Sequence, residues 1–193
     1  WPPGSRTPLG EIVEILGNPD APGVDILSII RDHGLPDRFS QHVEAEASAV
    51  DPTPTDEDLQ HRRDLRDLLC FTIDPDDARD HDDAVWAAPD DDPKNPGGWT
   101  VIVAIADVAA FVRSGSALDR EARNRGNSTY FPDRVVPMLP DRLSGDLCSL
   151  HEGVPRACIA VRMQIDAKGQ KIGHAFHRGL IRSSASLNYQ EVQ

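Results

Sequence analysis

From residue 68 onward, apolar residues arrive in short dense runs separated by acidic or proline-rich punctuation. Residues 68–73 (Leu-Leu-Cys-Phe-Thr-Ile) and 84–88 (Ala-Val-Trp-Ala-Ala) read as two strands bounded by turn-forming residues. Residues 89–98 form an acidic loop. Residues 99–106 are apolar almost throughout, which predicts a strand buried on both faces. Ser116, with Asp119 three residues on, predicts the cap of a helix that stops at Gly126. A short apolar piece at 135–139 is fenced by prolines, and residues 157–165 and 173–182 predict a hairpin around 166–170. Asn188 predicts the cap of one more helix.

The region before residue 68 has a different texture. Residues 1–23 are rich in Pro and Gly, and 11–17 alternate well enough for one strand. A single strand cannot fold alone, so 1–23 reads as the tail of a separate domain. Apolar residues at helical spacing predict a helix over 24–33 that stops at Gly34, and Pro36 can open a polar helix over 37–49. Residues 51–54 are a linker, and Thr55 caps a short acidic turn with Asp58 three residues on. The division is therefore a tail at 1–23, a helical linker at 24–60 and a main unit at 61–193.

The 39% apolar and 27% charged content suits a globular chain and argues against disorder throughout. No apolar run reaches membrane-spanning length, and no basic region followed by an apolar core opens the chain. A cytoplasmic location without membrane contact is the default expectation. Cys70, Cys148 and Cys158 show no paired spacing and read as small buried apolar residues. The net charge of −12 is unevenly spread: residues 1–109 carry −16 and residues 110–193 carry +4. The acidic part contains the candidate chemistry and the other part is Arg-rich, which suits phosphate binding; ordinary scatter of surface charge explains it as well.

That chemistry lies in Asp74-Pro75-Asp76-Asp77-Ala78-Arg79-Asp80-His81-Asp82-Asp83, six carboxylates between two apolar runs. Crowding so many negative charges is unfavourable unless a cation neutralises them, and Mg²⁺ with oxygen ligands is the natural solution. Asp80 and Asp82 share a face in extended chain, and a curled loop can bring Asp74 beside Asp82 and Asp83. Such a site suits hydrolysis of a phosphodiester. Competing readings are a solvated acidic loop with Arg79 as internal counter-charge, a structural Ca²⁺ site, and helix capping by one or two aspartates. The EF-hand template fails, because Arg79 and Val85 stand where it needs Gly and Glu. His81 reads as a packing or hydrogen-bonding residue rather than a ligand.

A second segment, 126–134, follows a helix carrying Arg120, Arg123 and Arg125. Tyr130 and Phe131 beside Arg125 and Arg134 suit base stacking and phosphate contact on a single strand. Alternatively the aromatics are core residues and the arginines pair locally with Asp119, Glu121 and Asp133.

These segments resemble the ribonuclease II / ribonuclease R family, the RNB-domain exoribonucleases. The likeness is carried by Phe71-Thr72-Ile73-Asp74, Asp77-Ala78-Arg79-Asp80-His81-Asp82-Asp83-Ala84-Val85, Ile105-Ala106-Asp107-Val108 and residues 115–122. It continues through residues 130–140, Leu147-Cys148-Ser149-Leu150 and residues 187–192. The resemblance implies an α+β fold: the N-terminal part of an RNB catalytic domain, with a mixed or antiparallel sheet and helices, preceded by the tail of a cold-shock or OB-type barrel. It implies Mg²⁺-dependent, processive 3′→5′ hydrolysis of single-stranded RNA to nucleoside 5′-monophosphates. Asp74, Asp80, Asp82 and Asp83 map onto the family's metal-site aspartates; Asp74 and Asp83 as ligands, Asp82 for the chemical step, Asp80 in support. Tyr130 maps onto the base-stacking tyrosine.

Two departures stand out. His81 occupies a position that is most often Phe in the family. The family's later metal-site acid, its scissile-phosphate arginine, a second stacking aromatic and an S1-type domain have no counterpart here. The resemblance thus implies a fragment whose partners include the rest of the catalytic domain, and which alone binds a cation poorly and cuts nothing. A non-catalytic RNA-binding module that keeps the motif is the alternative.

Overall fold

The computed structural model describes residues 10–52 and 56–193. A short helix, α1 (Val24–Asp32), is followed by α2 (Gln41–Ser48) and α3 (Asp56–His61). The strands β1 (Arg63–Asp64), β2 (Phe71–Asp74), β3 (Asp83–Pro89) and β4 (Trp99–Ala106) come next. After α4 (Ala117–Arg125) lie the two-residue strands β5 (Thr129–Tyr130) and β6 (Val135–Val136). The chain finishes with β7 (Pro155–Ile165), β8 (Lys171–Arg182) and β9 (Ala185–Asn188).

Seven strands form one mixed sheet in the order β1-β8-β7-β4-β3-β2-β9. The five central strands are antiparallel to their neighbours, while β1 and β9 join the two edges in parallel. The apolar runs form strands because their side chains alternate between two faces. On one face Ala84, Ile102, Ala104, Ala106, Cys158 and Ala160 pack with Leu65, Leu150 and Ile181 into the main core. The other face carries Val85, Val103, Val161 and Phe176 in one cross-strand row. Phe176 and Ile105 stand exposed there, so β4 is covered on one face only, not on both as its unbroken apolar run predicts.

A second core lies beside the sheet. Val43 and Ala47 of α2 meet Ala117 and Leu118 of α4, with Leu139, Leu143, Leu147 and Cys148. Leu143 and Leu147 sit on a wide helical segment, Arg142–Leu147, continued by a bond from Cys148 N to Leu143 O. Ser116 caps α4 by accepting from Asp119 N, and Glu46 reaches across from α2 to accept from Ala117 N at 2.8 Å and Leu118 N at 3.3 Å. Burial pushes the Glu46 carboxyl up, but these donors and Ser116 outweigh it and hold it below its usual range. Between the two cores, Arg62 and Asp107 form an ion pair at 2.8 Å with side chains 3% and 2% exposed.

Most expected elements are present: α1 and its stop at Gly34, the capped α4, and the β7–β8 hairpin. Three differ. Residues 11–17 form no strand, and Ile12, Val13 and Ile15 are exposed, because no neighbouring strand pairs with them among the described residues. The polar helix begins at Gln41, where Ser40 caps it, and not at 37. Asn188 ends β9; its Oδ1 accepts from Glu191 N while Glu191 returns a bond to Asn188 N, a capping box that closes a turn. Thr55 and part of the linker lie outside the described residues.

Gly179 on β8 packs where a Cβ would meet Cys158 Sγ and Leu65 Cδ1, both at 3.0 Å. Gly179→Val is expected to cost about 1–3 kcal/mol through overpacking. The midpoint of urea unfolding measures it.

Candidate active site

The carboxylate cluster is the loop of the β2–β3 hairpin. Phe71 pairs antiparallel with Val85. The loop is strapped at its C-terminal side. Ala106 N donates to Asp82 O and Leu150 N to His81 O, both at 2.9 Å. The buried hydroxyl of Ser149 accepts from His81 N at 3.0 Å. Asp74 itself is pinned in the parallel pairing of β2 with β9, opposite Asn188.

Each of the four aspartates has a distinct setting. Asp74 Oδ2 lies 2.7 Å from His81 Nδ1, and both side chains are largely buried. Asp80 Oδ2 accepts from the Tyr130 hydroxyl at 3.1 Å. Asp82 reaches solvent, yet surrounding protein strips enough hydration to push its carboxyl up; Asp80, Asp83 and Asp74 add to the rise in that order. Asp83 opens β3 opposite Ile105, on the uncovered face. The loop gathers Asp74, Asp80, Asp82 and Asp83, the carboxylates of which two or more are expected to share a cation. Asp80, Asp83 and Asp74 all lie close enough to act on Asp82, and among the described residues no three acidic, His or Cys side chains are arranged to enclose a metal. Arg79, the expected counter-charge, is exposed and among the described residues pairs with none of these aspartates.

Tyr130 is 66% exposed, with its ring free beside the loop. Partial burial and the bond to Asp80 hold its phenol above its usual value. Arg134 donates to Asp133 and to Gly23 O, and its guanidinium remains partly exposed. Arg125 is not an RNA contact of this surface. Its side chain is 2% exposed, and it donates to Glu121, Pro137 O and Arg38 O while stacking 3.6 Å above Phe39. The local pairing weighed as the alternative holds for Arg123 with Asp119, Arg125 with Glu121 and Arg134 with Asp133. Ser149 is the residue that reading the sequence missed as a support of the loop; only its place in the Leu147–Leu150 block signalled it.

A family model described as the RNB domain matches residues 62–193, and one described as the cold shock domain matches residues 1–40. Ribonuclease R of Acidithiobacillus ferrooxidans is 46% identical over 192 residues, covering 100% of this chain and 43% of that protein. A structure of Mycoplasma genitalium RNase R in complex with ribose methylated single-stranded RNA superposes with a TM-score of 0.85 at 34% identity, over 92% of this chain and 27% of that one. The structure of yeast Ssd1, a pseudonuclease, matches 100% of this chain and 24% of its own with a TM-score of 0.78 at 25% identity. The chain belongs to the RNB-domain family. It spans less than half the length of the curated relatives it matches.

Two outcomes are expected. A raised carboxyl penalises the fold only once ionised, so the cost from Asp82 is absent below its unfolded value of about 3.9 and grows as pH climbs through the folded value. Asp82→Asn should therefore raise the unfolding temperature of the ion-free protein at pH 7, with little gain at pH 3.5. Arg125→Ala should lower stability by about 2 kcal/mol or more, since three acceptors lose a charged donor. Chemical denaturation measures that loss.

Proposed function

We propose that this chain carries part of the active site of a Mg²⁺-dependent hydrolytic exoribonuclease, which shortens single-stranded RNA from its 3′ end and releases nucleoside 5′-monophosphates. The observation that supports it most is the gathering of Asp74, Asp80, Asp82 and Asp83 in one hairpin loop, with the exposed ring of Tyr130 bonded to Asp80 at its edge. Belonging to the RNB-domain family adds weight, as does the likeness to an RNase R solved with single-stranded RNA.

The residues fit a magnesium ion. Their donors are hard oxygens, and while burial does most to push the Asp82 carboxyl up, the neighbouring carboxylates that add to the rise are what a cation relieves. Magnesium is commonly held by one or two carboxylates with water and substrate phosphate, so an open set needs no closed cage. Asp74 and Asp83 would hold it, with Asp80 in support. When bound, it neutralises charge developing on the phosphate and favours deprotonation of the attacking water. Asp82, whose carboxyl burial and neighbouring carboxylates push above the usual range, is suited to receive that proton. Tyr130 offers a stacking face to a base, and Arg134 offers its remaining donors to the backbone. The three thiols are unpaired, in keeping with a reducing compartment, and the reading places the enzyme in the cytoplasm.

The likeness to Ssd1 favours a second reading, a non-catalytic RNA-binding module. Incubating end-labelled RNA with the full-length protein separates the two. Mg²⁺-dependent loss of 3′ nucleotides supports the enzyme; binding without shortening supports the module. Asp82→Asn is expected to abolish hydrolysis while RNA affinity stays nearly unchanged, and persistent turnover would defeat the assignment. Tyr130→Ala is expected to weaken binding of short RNA by about 1–3 kcal/mol, read by fluorescence anisotropy.

A further inference from the structure

We propose that His81 is a positioning residue for Asp74, turning that carboxylate so that its second oxygen is presented to a divalent cation. The inference rests on the loop being a metal site.

Asp74 Oδ2 and His81 Nδ1 are 2.7 Å apart, with side chains 15% and 16% exposed. An ionised carboxylate only accepts, so Nδ1 carries the hydrogen and is not itself free to bind a metal. His81 is held at both backbone and ring. Its backbone N–H donates to Ser149 Oγ at 3.0 Å, and its carbonyl accepts from Leu150 N at 2.9 Å. Its ring meets His151 edge-on with centroids 6.0 Å apart, and His151 Nε2 lies 3.0 Å from Gly145 O. The chain from Gly145 through His151 and His81 to Asp74 thus ends on one carboxylate oxygen. Without that bond no other donor among the described residues sets the rotation of the Asp74 carboxylate, which lies close enough to Asp82 to act on it. An outer donor that fixes a ligand's orientation is commonly worth tenfold or more in metal affinity.

The test is calorimetric titration of Mn²⁺ or Mg²⁺ into the full-length protein, well below each variant's unfolding temperature. His81→Phe keeps a ring and removes the donor. His81→Asn keeps an amide donor near the place of Nδ1, and His81→Gln moves it toward Nε2. His81→Phe and His81→Gln are expected to weaken ion binding about tenfold or more, with His81→Asn restoring most of it. A packing role gives the reverse order, with Phe harmless and Asn harmful, and would overturn the proposal; so would equal affinity in all four proteins. Asp74→Asn is the control. Ion uptake that survives it, or none by the wild type, overturns the metal site itself and not merely the part given to His81.

Discussion

Repulsion among neighbouring carboxylates is the constraint to which the rest of this structure answers. Six aspartates in ten residues would drive a free loop open. Here the loop cannot open, because its two ends are adjacent antiparallel strands and its C-terminal side is bonded to β4 and to the 149–150 segment. Backbone hydrogen bonds, which carry no net charge, hold charged side chains where they would not otherwise stay. Part of the cost appears at Asp82, whose carboxyl is pushed up first by burial and then by Asp80, Asp83 and Asp74. Strain of this kind concentrates at functional sites, where a bound group relieves it.

The two cores serve that arrangement differently. The sheet core fixes the strand ends from which the loop springs. The smaller helical core packs α2 against α4 and the 139–148 segment. Leu147 and Cys148 belong to the helical core while Leu150 belongs to the sheet core, so four consecutive residues stitch the two together. Ser149, between them, grips the loop. The buried Arg62–Asp107 pair adds a second stitch at the point where β4 leaves the sheet. Arg125 secures α4 to the chain ahead of α2 through Arg38 O and Phe39, which is why a residue that reads as a phosphate ligand is spent on packing.

Much of this was legible in the residues. Turn chemistry and apolar runs located the hairpins, and capping residues located α1 and α4, because those signals are local. The carboxylate loop was legible because its composition makes sense only with some compensating partner. What was not legible depended on distant neighbours. The uncovered face of β4 looks in sequence like any buried run, since valine and isoleucine do not say which side is packed. The stretch 11–17 alternates like a strand, but pairing needs a partner that local pattern cannot supply. Arg125 and Arg134 are alike in sequence; only the tertiary positions of Phe39, Pro137 and Gly23 separate the enclosed one from the open one.

The uneven strapping of the loop also divides it in time. The Ala106 and Leu150 amides, whose bonds anchor Asp82 and His81, sit within or against the main sheet core. They can exchange their hydrogens with solvent only when that core opens, an event governed by global stability. The tip at 75–77 is exposed, and little there slows exchange. One short connection thus joins a slow half, carrying Asp82, to a fast half, carrying Asp76 and Asp77. A ligand can reshape the tip without disturbing the half that holds Asp82.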